Sequence, residues 1–290
     1  MIGILTSGGI CPGINVVINE IVKNEINRNG NNVVGFLQGF EGLNKNKKIK
    51  IKDNKYKEHY NKGGSVLGTS RVKLEIGCVS QSMDDLDKLY CIGGDGTQTA
   101  AKILYEKFGN TTNIVGIGKT IDNDIKGIQS FGFYSAIEKT SECIVNAYNE
   151  AYSTKKIVIV ETMGNKSGCL AYYSSIANNN IVDYCIKRED NINKEIYTAM
   201  IQDIYKHQGY GVIVMSENYN EKDKLLQKIK DKYIPYVMIT PGSYVRSGEA
   251  NVMDKIACVN MCKRVCNETE KGEKNVIYGV NTKIKYDNFN

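Results

Sequence analysis

The segment Lys119-Thr120-Ile121-Asp122-Asn123-Asp124 sets two carboxylates on either side of one small amide, directly after the apolar run 113–118. Such a run reads as a buried strand, so the acids fall in a loop at its C-terminal end, the edge at which open α/β sheets hold their ligands. At that spacing one acid can take a proton from a substrate hydroxyl while the other holds a metal or orients a neighbour. The same residues also make ordinary turns, because Asp and Asn side chains bond their own backbone. The rest of the chain has to decide between these readings.

Three glycine-rich stretches bear on that choice. Gly8-Gly9-Ile10-Cys11-Pro12-Gly13 follows the apolar residues 1–7, and Gly93-Gly94-Asp95-Gly96-Thr97 follows a run at 86–92. Glycines between a strand and a helix let backbone N–H groups face a phosphate, and the helix N-terminus favours its charge. Neither loop has the Lys-Ser/Thr of a P-loop, and tight strand-to-helix turns also use glycine for steric reasons. In the second loop Asp95 offers the hard oxygen ligand that Mg²⁺ takes. The third stretch, Gly63 to Arg71, reads equally as a surface turn and as an anion-facing loop whose Arg71 presents a planar fork to phosphate. Phosphate-facing glycines, an acid for a metal and a downstream acid as base are together the parts of a phosphoryl-transfer site.

The elements that must position these loops follow from the apolar pattern. Strands are expected at 1–7, 32–38, 86–92, 113–118, 156–161, 181–186, 211–215 and 236–240. Between them lie helices, including one carrying Ile14, Val17, Ile18, Ile21, Val22 and Ile26, one from 98 to about 107, and one from 133 to about 152. Alternation of this kind predicts parallel sheets covered by helices on both faces. Cys258, Cys262 and Cys266 recur every four residues and are expected to pack one face of a further helix.

At 290 residues with 41% apolar content, the chain can fill one large core or two modest ones. Its net charge of +6 suits anionic substrates. The Lys-rich run 44–52 reads as a solvated loop or hairpin, since no arginine or aromatic interleaves it, and no nucleic-acid partner is expected. Nine cysteines without a Cys-x-x-Cys pair, and two histidines, suggest reduced thiols and no zinc site. No secretory signal opens the chain and no apolar run is long enough to span a bilayer, so a cytoplasmic soluble protein is expected.

In order along the chain, these loops resemble the 6-phosphofructokinase family. The matching segments are Leu5-Thr6-Ser7-Gly8-Gly9 with Pro12-Gly13 and Asn15, Gly68-Thr69-Ser70-Arg71, the 93–97 loop, the 119–124 segment and Phe131-Gly132-Phe133. Glu161-Thr162-Met163-Gly164, Ser216-Glu217 and Arg246-Ser247-Gly248 with Asp254 complete the set. The resemblance implies a phosphofructokinase-like α/β fold, two Rossmann-like parallel-sheet lobes with the active site between them. On that basis residues 1–135 are a donor-binding lobe, 136–270 a fructose 6-phosphate-binding lobe, and 271–290 a C-terminal strand and tail packing back on the first lobe. It also implies transfer of a phosphoryl group to the 1-hydroxyl of fructose 6-phosphate with Mg²⁺. Asp122 is then the base, with Asp124 and Lys119 in the catalytic set, and Asp95 serves the metal. Gly8, Gly9, Arg71, Gly94, Asp95, Gly96 and Thr97 surround the donor. Thr120, Asp122, Met163, Gly164, Glu217 and Arg246 hold the sugar phosphate, and Lys156 stands where the family has an arginine reaching in from a neighbouring subunit. A homo-oligomer, dimer or tetramer, follows from that position.

The donor is expected to be ATP. Gly96 leaves open the space of an α-phosphate, where typical pyrophosphate users carry aspartate; Lys119 is typical of pyrophosphate users, yet a group of ATP users pairs it with glycine. Five departures touch the pattern: Ile10 and Tyr134 replace aspartates, Asn165 replaces the arginine after Met-Gly, Val237 replaces a second inter-subunit arginine, and Ser243 replaces a histidine or tyrosine. They keep open pyrophosphate dependence and a weakly active or non-catalytic regulatory subunit as alternatives. The chain is also short for the family, with no room expected for an extra regulatory domain.

Overall fold

A computed structural model of the chain describes residues 1–30, 32–52, 57–190 and 193–289. In chain order its elements are β1 (Ile2–Thr6), α1 (Ile14–Asn29), β2 (Val33–Phe36), α2 (Phe40–Asn44), β3 (Lys48–Ile51), α3 (Ser80–Met83), β4 (Lys88–Gly93), α4 (Asp95–Phe108) and β5 (Asn113–Gly118). Next come α5 (Phe133–Thr154), β6 (Ile157–Thr162), α6 (Cys169–Ala177), β7 (Tyr184–Ile186), α7 (Lys194–Gln208), β8 (Gly211–Ser216), α8 (Lys222–Asp231) and β9 (Tyr236–Ile239). The chain closes with α9 (Tyr244–Ser247), α10 (Val252–Glu270), β10 (Val276–Tyr278) and β11 (Lys283–Lys285). It divides into two compact units, Met1–Ser135 with Arg246–Asn290, and Ala136–Val245.

Among the described residues, unit 1 holds a seven-stranded sheet in the order β11-β10-β5-β4-β1-β2-β3. Its five inner strands are parallel, and β3 and β11 close the two edges antiparallel. The Lys-rich run therefore forms the edge half of a hairpin with β2, where lysines discourage pairing with another chain. Successive side chains of β1 and β4 point to opposite faces. Leu5, Leu89 and Cys91 enter a core with Phe36, Leu43, Met83 and Leu104, all buried. The order of the strands reverses between the parallel neighbours β1 and β4, the switch point at whose C-terminal ends open α/β sheets hold their ligands.

Helix α10 packs on α1. Its buried face contains Cys258, Met261, Cys262, Val265 and Cys266, and the Cys262 thiol reaches the carbonyl of Val17 at 3.8 Å. The sequence reading puts 136–270 in the second lobe, but this buried face ties 246–270 to unit 1. Tyr286 is also buried against unit 1, stacked on Tyr105 at a ring separation of 5.8 Å.

Unit 2 is a four-stranded parallel sheet in the order β7-β8-β6-β9. Alternation within β6 sends Ile157 and Ile159 to a core with Ile201, Leu225 and Ile229 of α7 and α8. Val158 and Val160 meet Ile144, Ala147 and Ala151 of α5 on the other face. Both faces of this sheet are covered, as its nearly continuous apolar strands require.

Candidate active site

Register alone aligns the chemistry-bearing loops of unit 1. Thr6 pairs with Ile92 and Gly93 with Gly118, so residues 7–9, 94–97 and 119–124 leave one sheet edge side by side. Backbone bonds then tie them together: Ser7 N–H donates to Ile92 O at 3.0 Å, Lys119 N–H to Gly93 O at 3.0 Å, and Gly8 N–H to Ser70 O at 3.0 Å. Thr69 Oγ1 returns a bond to Gly8 O at 2.7 Å and Thr6 Oγ1 donates to Gly68 O at 2.7 Å. Gly8 has φ 83°, a conformation that side chains disfavour. Arg71 thus emerges exposed beside the Gly8 turn. The third stretch is an ordered part of the same edge.

Helix α4 begins at Asp95, and Gly94 precedes it without any side-chain cap. Thr97 N–H and Gln98 N–H are spent on Gly94 O, at 2.9 and 3.0 Å, which leaves the preceding amides as the orphan donors that bind anions. A Cβ on Gly93 would lie 2.2 Å from Thr97 Oγ1, so only glycine fits under the turn. Gly96 differs: a Cβ there meets nothing within 4 Å. Asp95 and Gly96 are exposed, and Thr97 is buried below them.

Lys119 is the central cation. It is 5% exposed, and its Nζ donates to Gly9 O at 2.6 Å. Burial pushes its pKa down and nearby Arg246 adds to this, while Asp122 and Asp124 oppose the shift. Cys11, buried alongside, is a neutral thiol because burial raises its pKa far above the ordinary range. The paired acids lie in a turn closed by side-chain bonds. Asn123 sits at φ 50° and accepts from Ser130 N–H at 3.2 Å, and Asp122 N–H donates to Thr120 Oγ1 at 3.1 Å. These bonds fix the backbone that presents half-buried Asp122 and Asp124.

Arg246 approaches the same place, its Nη1 lying 3.8 Å from where a Cβ on Gly9 would be. Its Nε is buried without a hydrogen-bond partner among the described residues, so the guanidinium keeps donor capacity that the protein's own groups do not use. Unit 1 therefore unites Gly8, Gly9, Gly94, Lys119, Thr120, Asp122 and Arg246 at one edge.

Asp254 is the unit 1 residue whose work the sequence does not reveal. Fully buried, it accepts from Gly132 N–H at 2.9 Å and from Ser135 N–H and Oγ, both at 2.6 Å. It thereby anchors the start of α5 just after the acid loop. The spacing Asn251-x-x-Asp254 is a capping signal, and Asn251 does accept from Asp254 N–H at 2.9 Å. The partner 122 residues away in sequence leaves no local signal. Asn15 acts similarly, bonding Lys62 O at 2.9 Å and Val66 N–H at 2.8 Å to hold the Gly63 to Arg71 stretch.

In unit 2, pairing of Thr162 with Ser216 places Met163 and Glu217 next to each other. Glu217 Oε1 accepts from Gly164 N–H at 3.0 Å and Asn165 N–H at 2.7 Å. Gly164 and Asn165 both have positive φ, 156° and 49°, so the loop bends sharply around the carboxylate. Lys156 does not join this group. It precedes β6, at the opposite edge of the sheet, about 20 Å away at roughly 3.3 Å per strand residue. Of the departing positions, Tyr134, Asn165 and Ser243 are exposed, and Ile10 and Val237 are half-buried.

Among the described residues, no cluster of three or more His, Cys, Asp or Glu side chains is arranged to hold a metal ion. Asp95 alone, exposed among open glycines, fits a Mg²⁺ that arrives with phosphate oxygens and keeps water in its shell. No described helix is long and apolar enough to cross a membrane.

Glycine turns after β1 and β4, on either side of the reversal of strand order, and paired acids after the neighbouring β5 give this unit the layout of a doubly wound α/β protein that holds ligands at its strand ends. The family follows from comparison with known proteins. The model of the phosphofructokinase family matches residues 1–268, and the chain belongs to that family. ATP-dependent 6-phosphofructokinase 3 of Bacteroides thetaiotaomicron is 39% identical over 231 residues, 74% of this chain and 67% of that protein. An ATP-dependent 6-phosphofructokinase of Mycobacterium tuberculosis is 40% identical over 185 residues, 61% and 53% of the two chains. One from Photobacterium profundum is 30% identical over 270 residues, 90% and 82% of the two. The chain thus spans from about half to two-thirds of the first two relatives' length. Among solved structures, a pyrophosphate-dependent phosphofructokinase from Marinobacter aquaeolei superposes with a TM-score of 0.84 at 19% identity, covering 98% of this chain and 84% of that one. Pichia pastoris phosphofructokinase in the T-state gives 0.85 at 22% identity, covering 100% and 37%. These likenesses bear out the expected family and its phosphofructokinase-like α/β fold.

Proposed function

We propose that the protein is an ATP-dependent 6-phosphofructokinase, transferring the γ-phosphoryl group of ATP to the 1-hydroxyl of fructose 6-phosphate. The observation that carries this reading is the register-aligned edge of unit 1. There an anion-binding helix start, an exposed Asp95 and the Lys119–Asp122 pair lie on neighbouring strand ends. The curated relatives' names, at 30 to 40% identity, support the same activity.

Each residue has a role in this scheme. Gly8, Gly9, Arg71 and the Gly94 to Thr97 loop receive the donor's phosphates, and Asp95 is the ligand for Mg²⁺, which when bound offsets charge on those phosphates. Asp122 accepts the proton of the 1-hydroxyl as that oxygen bonds to the γ-phosphorus and the bond from phosphorus to the bridging oxygen breaks, releasing ADP. Lys119, held by Gly9 O, counters the negative charge gathered there, and Asp124 holds the loop's electrostatic balance with it. In unit 1, Thr120 and Arg246 bind sugar phosphate. In unit 2, Met163, Gly164 and Glu217 do so, Glu217 also shaping the loop through its two backbone bonds.

Open space at Gly96 favours ATP over pyrophosphate as donor. Lys156, far from Met163 along its own sheet, is assigned to a neighbouring subunit's site in a homo-oligomer. Exposed Tyr172, Tyr173 and Ile176 on α6 offer apolar surface for such contacts. All nine cysteines are free, which suits a reducing cytoplasm. The test is formation of fructose 1,6-bisphosphate by purified protein with Mg²⁺ and ATP; an Asp122→Asn variant as active as wild type would sink the mechanism.

A further inference from the structure

We propose that Arg188 is a phosphate-binding residue of unit 2, presenting its guanidinium to a phosphate monoester at the C-terminal edge of that sheet. This deepens the reading given above and rests on it for the identity of the sugar phosphate. Arg188 follows β7, whose Ile186 pairs with Met215 just before Glu217. From there its Nη1 donates to Asn165 O at 3.3 Å, so the guanidinium lies against the loop that follows Met163 and Gly164. Half-buried, it spends one N–H on that carbonyl and has no carboxylate partner among the described residues.

Its neighbours are compensated. Lys187 pairs with Glu189 and Asp190 at 3.9 and 3.7 Å, Lys194 with Glu221 at 3.4 Å, and Lys222 with Glu161 at 2.6 Å. Glu217, just after β8, turns its Oε1 to the N–H groups of Gly164 and Asn165. A guanidinium is a rigid fork with five donors, and four of Arg188's remain for a ligand. Planar recognition of this kind suits phosphate oxygens, which take paired N–H bonds. Exposed Lys166, one residue beyond Asn165, adds a second cation without a partner among the described residues. The resulting site is positive, flanked by a bent loop, and built for a small phosphate ester.

The test compares wild type, Arg188→Gln and Arg188→Lys by calorimetric titration with fructose 6-phosphate, inorganic phosphate and MgADP, alongside steady-state kinetics. Loss of charge-assisted bonds is expected to weaken fructose 6-phosphate and inorganic phosphate in Arg188→Gln by about 10- to 100-fold, with MgADP unchanged. Arg188→Lys, which keeps the charge but loses the fork, is expected between the two. Adding Asn165→Arg to Arg188→Gln sets a guanidinium on the residue whose carbonyl Arg188 touches, and recovery of KM for fructose 6-phosphate is expected. Unchanged phosphate affinity in a folded Arg188→Gln overturns the proposal, as does a loss confined to MgADP. Wild type that binds inorganic phosphate through Arg188 but ignores fructose 6-phosphate keeps the site and refutes only the sugar.

Discussion

Replacing Gly96 with aspartate tests donor choice with the least disturbance to the fold. A Cβ at this position meets nothing within 4 Å, and the residue lies in the first turn of α4, where a carboxylate is favoured by the helix dipole. Thermal stability is therefore expected to hold or rise slightly. The effect on ATP is different. A carboxylate about 4 Å from one charge of an α-phosphate, at an effective dielectric of about 20, costs about 4 kcal/mol. The positive end of α4 offsets about 1 kcal/mol of that. At about 1.4 kcal/mol per decade, the remaining 3 kcal/mol is a loss of about 100-fold in kcat/KM for ATP. The assay is coupled detection of fructose 1,6-bisphosphate, with ATP and pyrophosphate titrated separately. Pyrophosphate has no α-phosphate nucleoside ester to repel, so its activity is expected to stay level or rise. Full ATP activity in Gly96→Asp would refute the placement of the donor over this turn.

Three further perturbations follow from the same geometry. Asp122→Asn keeps the shape of the turn and removes the base, so kcat is expected to fall by about 10² to 10⁴ with KM and melting temperature little changed, read by initial rates and calorimetry. Asp254→Ala strands the buried N–H groups of Gly132 and Ser135 and is expected to cost about 3 to 5 kcal/mol in denaturant unfolding, far more than an exposed Asp84→Ala control. Lys119, with its pKa held below the ordinary 10.5 by burial, binds fewer protons folded than unfolded between those two values. Its penalty on stability is therefore full below the folded pKa and is lifted as pH rises toward 10.5. Wild type should gain stability relative to Lys119→Met over that window. The kcat of wild type should fall there as the charge is lost, measured as an alkaline limb that Lys119→Met lacks.

Much of this architecture is legible in the chain because its strands are buried on both faces and read as plain apolar runs, from Ile2–Thr6 to Gly211–Ser216. Glycine turns at 8–9 and 93–96 mark strand ends directly, and strand ends are where ligands bind in such sheets. Long-range closure is not legible. Nothing in the sequence near 246–270 says that Cys258, Cys262 and Cys266 face α1, so the helix falls on the wrong side of an expected boundary. Asp254 likewise shows its cap but not its clasp on Gly132 and Ser135. Arg188 is hidden for the same reason: its relation to Asn165 exists only once β7 is laid beside β8. The Asx turn read at 122–124 is present, with Asn123 in its left-handed conformation, and it leaves Asp122 and Asp124 half-buried rather than sealed in the core.

The most direct measurement is product formation from fructose 6-phosphate and Mg²⁺ by the purified chain, with ATP and with pyrophosphate in parallel, and with Asp122→Asn beside each. Fructose 1,6-bisphosphate with ATP, little with pyrophosphate, and loss of both signals in Asp122→Asn are expected. Folded protein that binds either donor yet makes no product would contradict the kinase reading, and turnover with pyrophosphate alone would contradict the choice of donor.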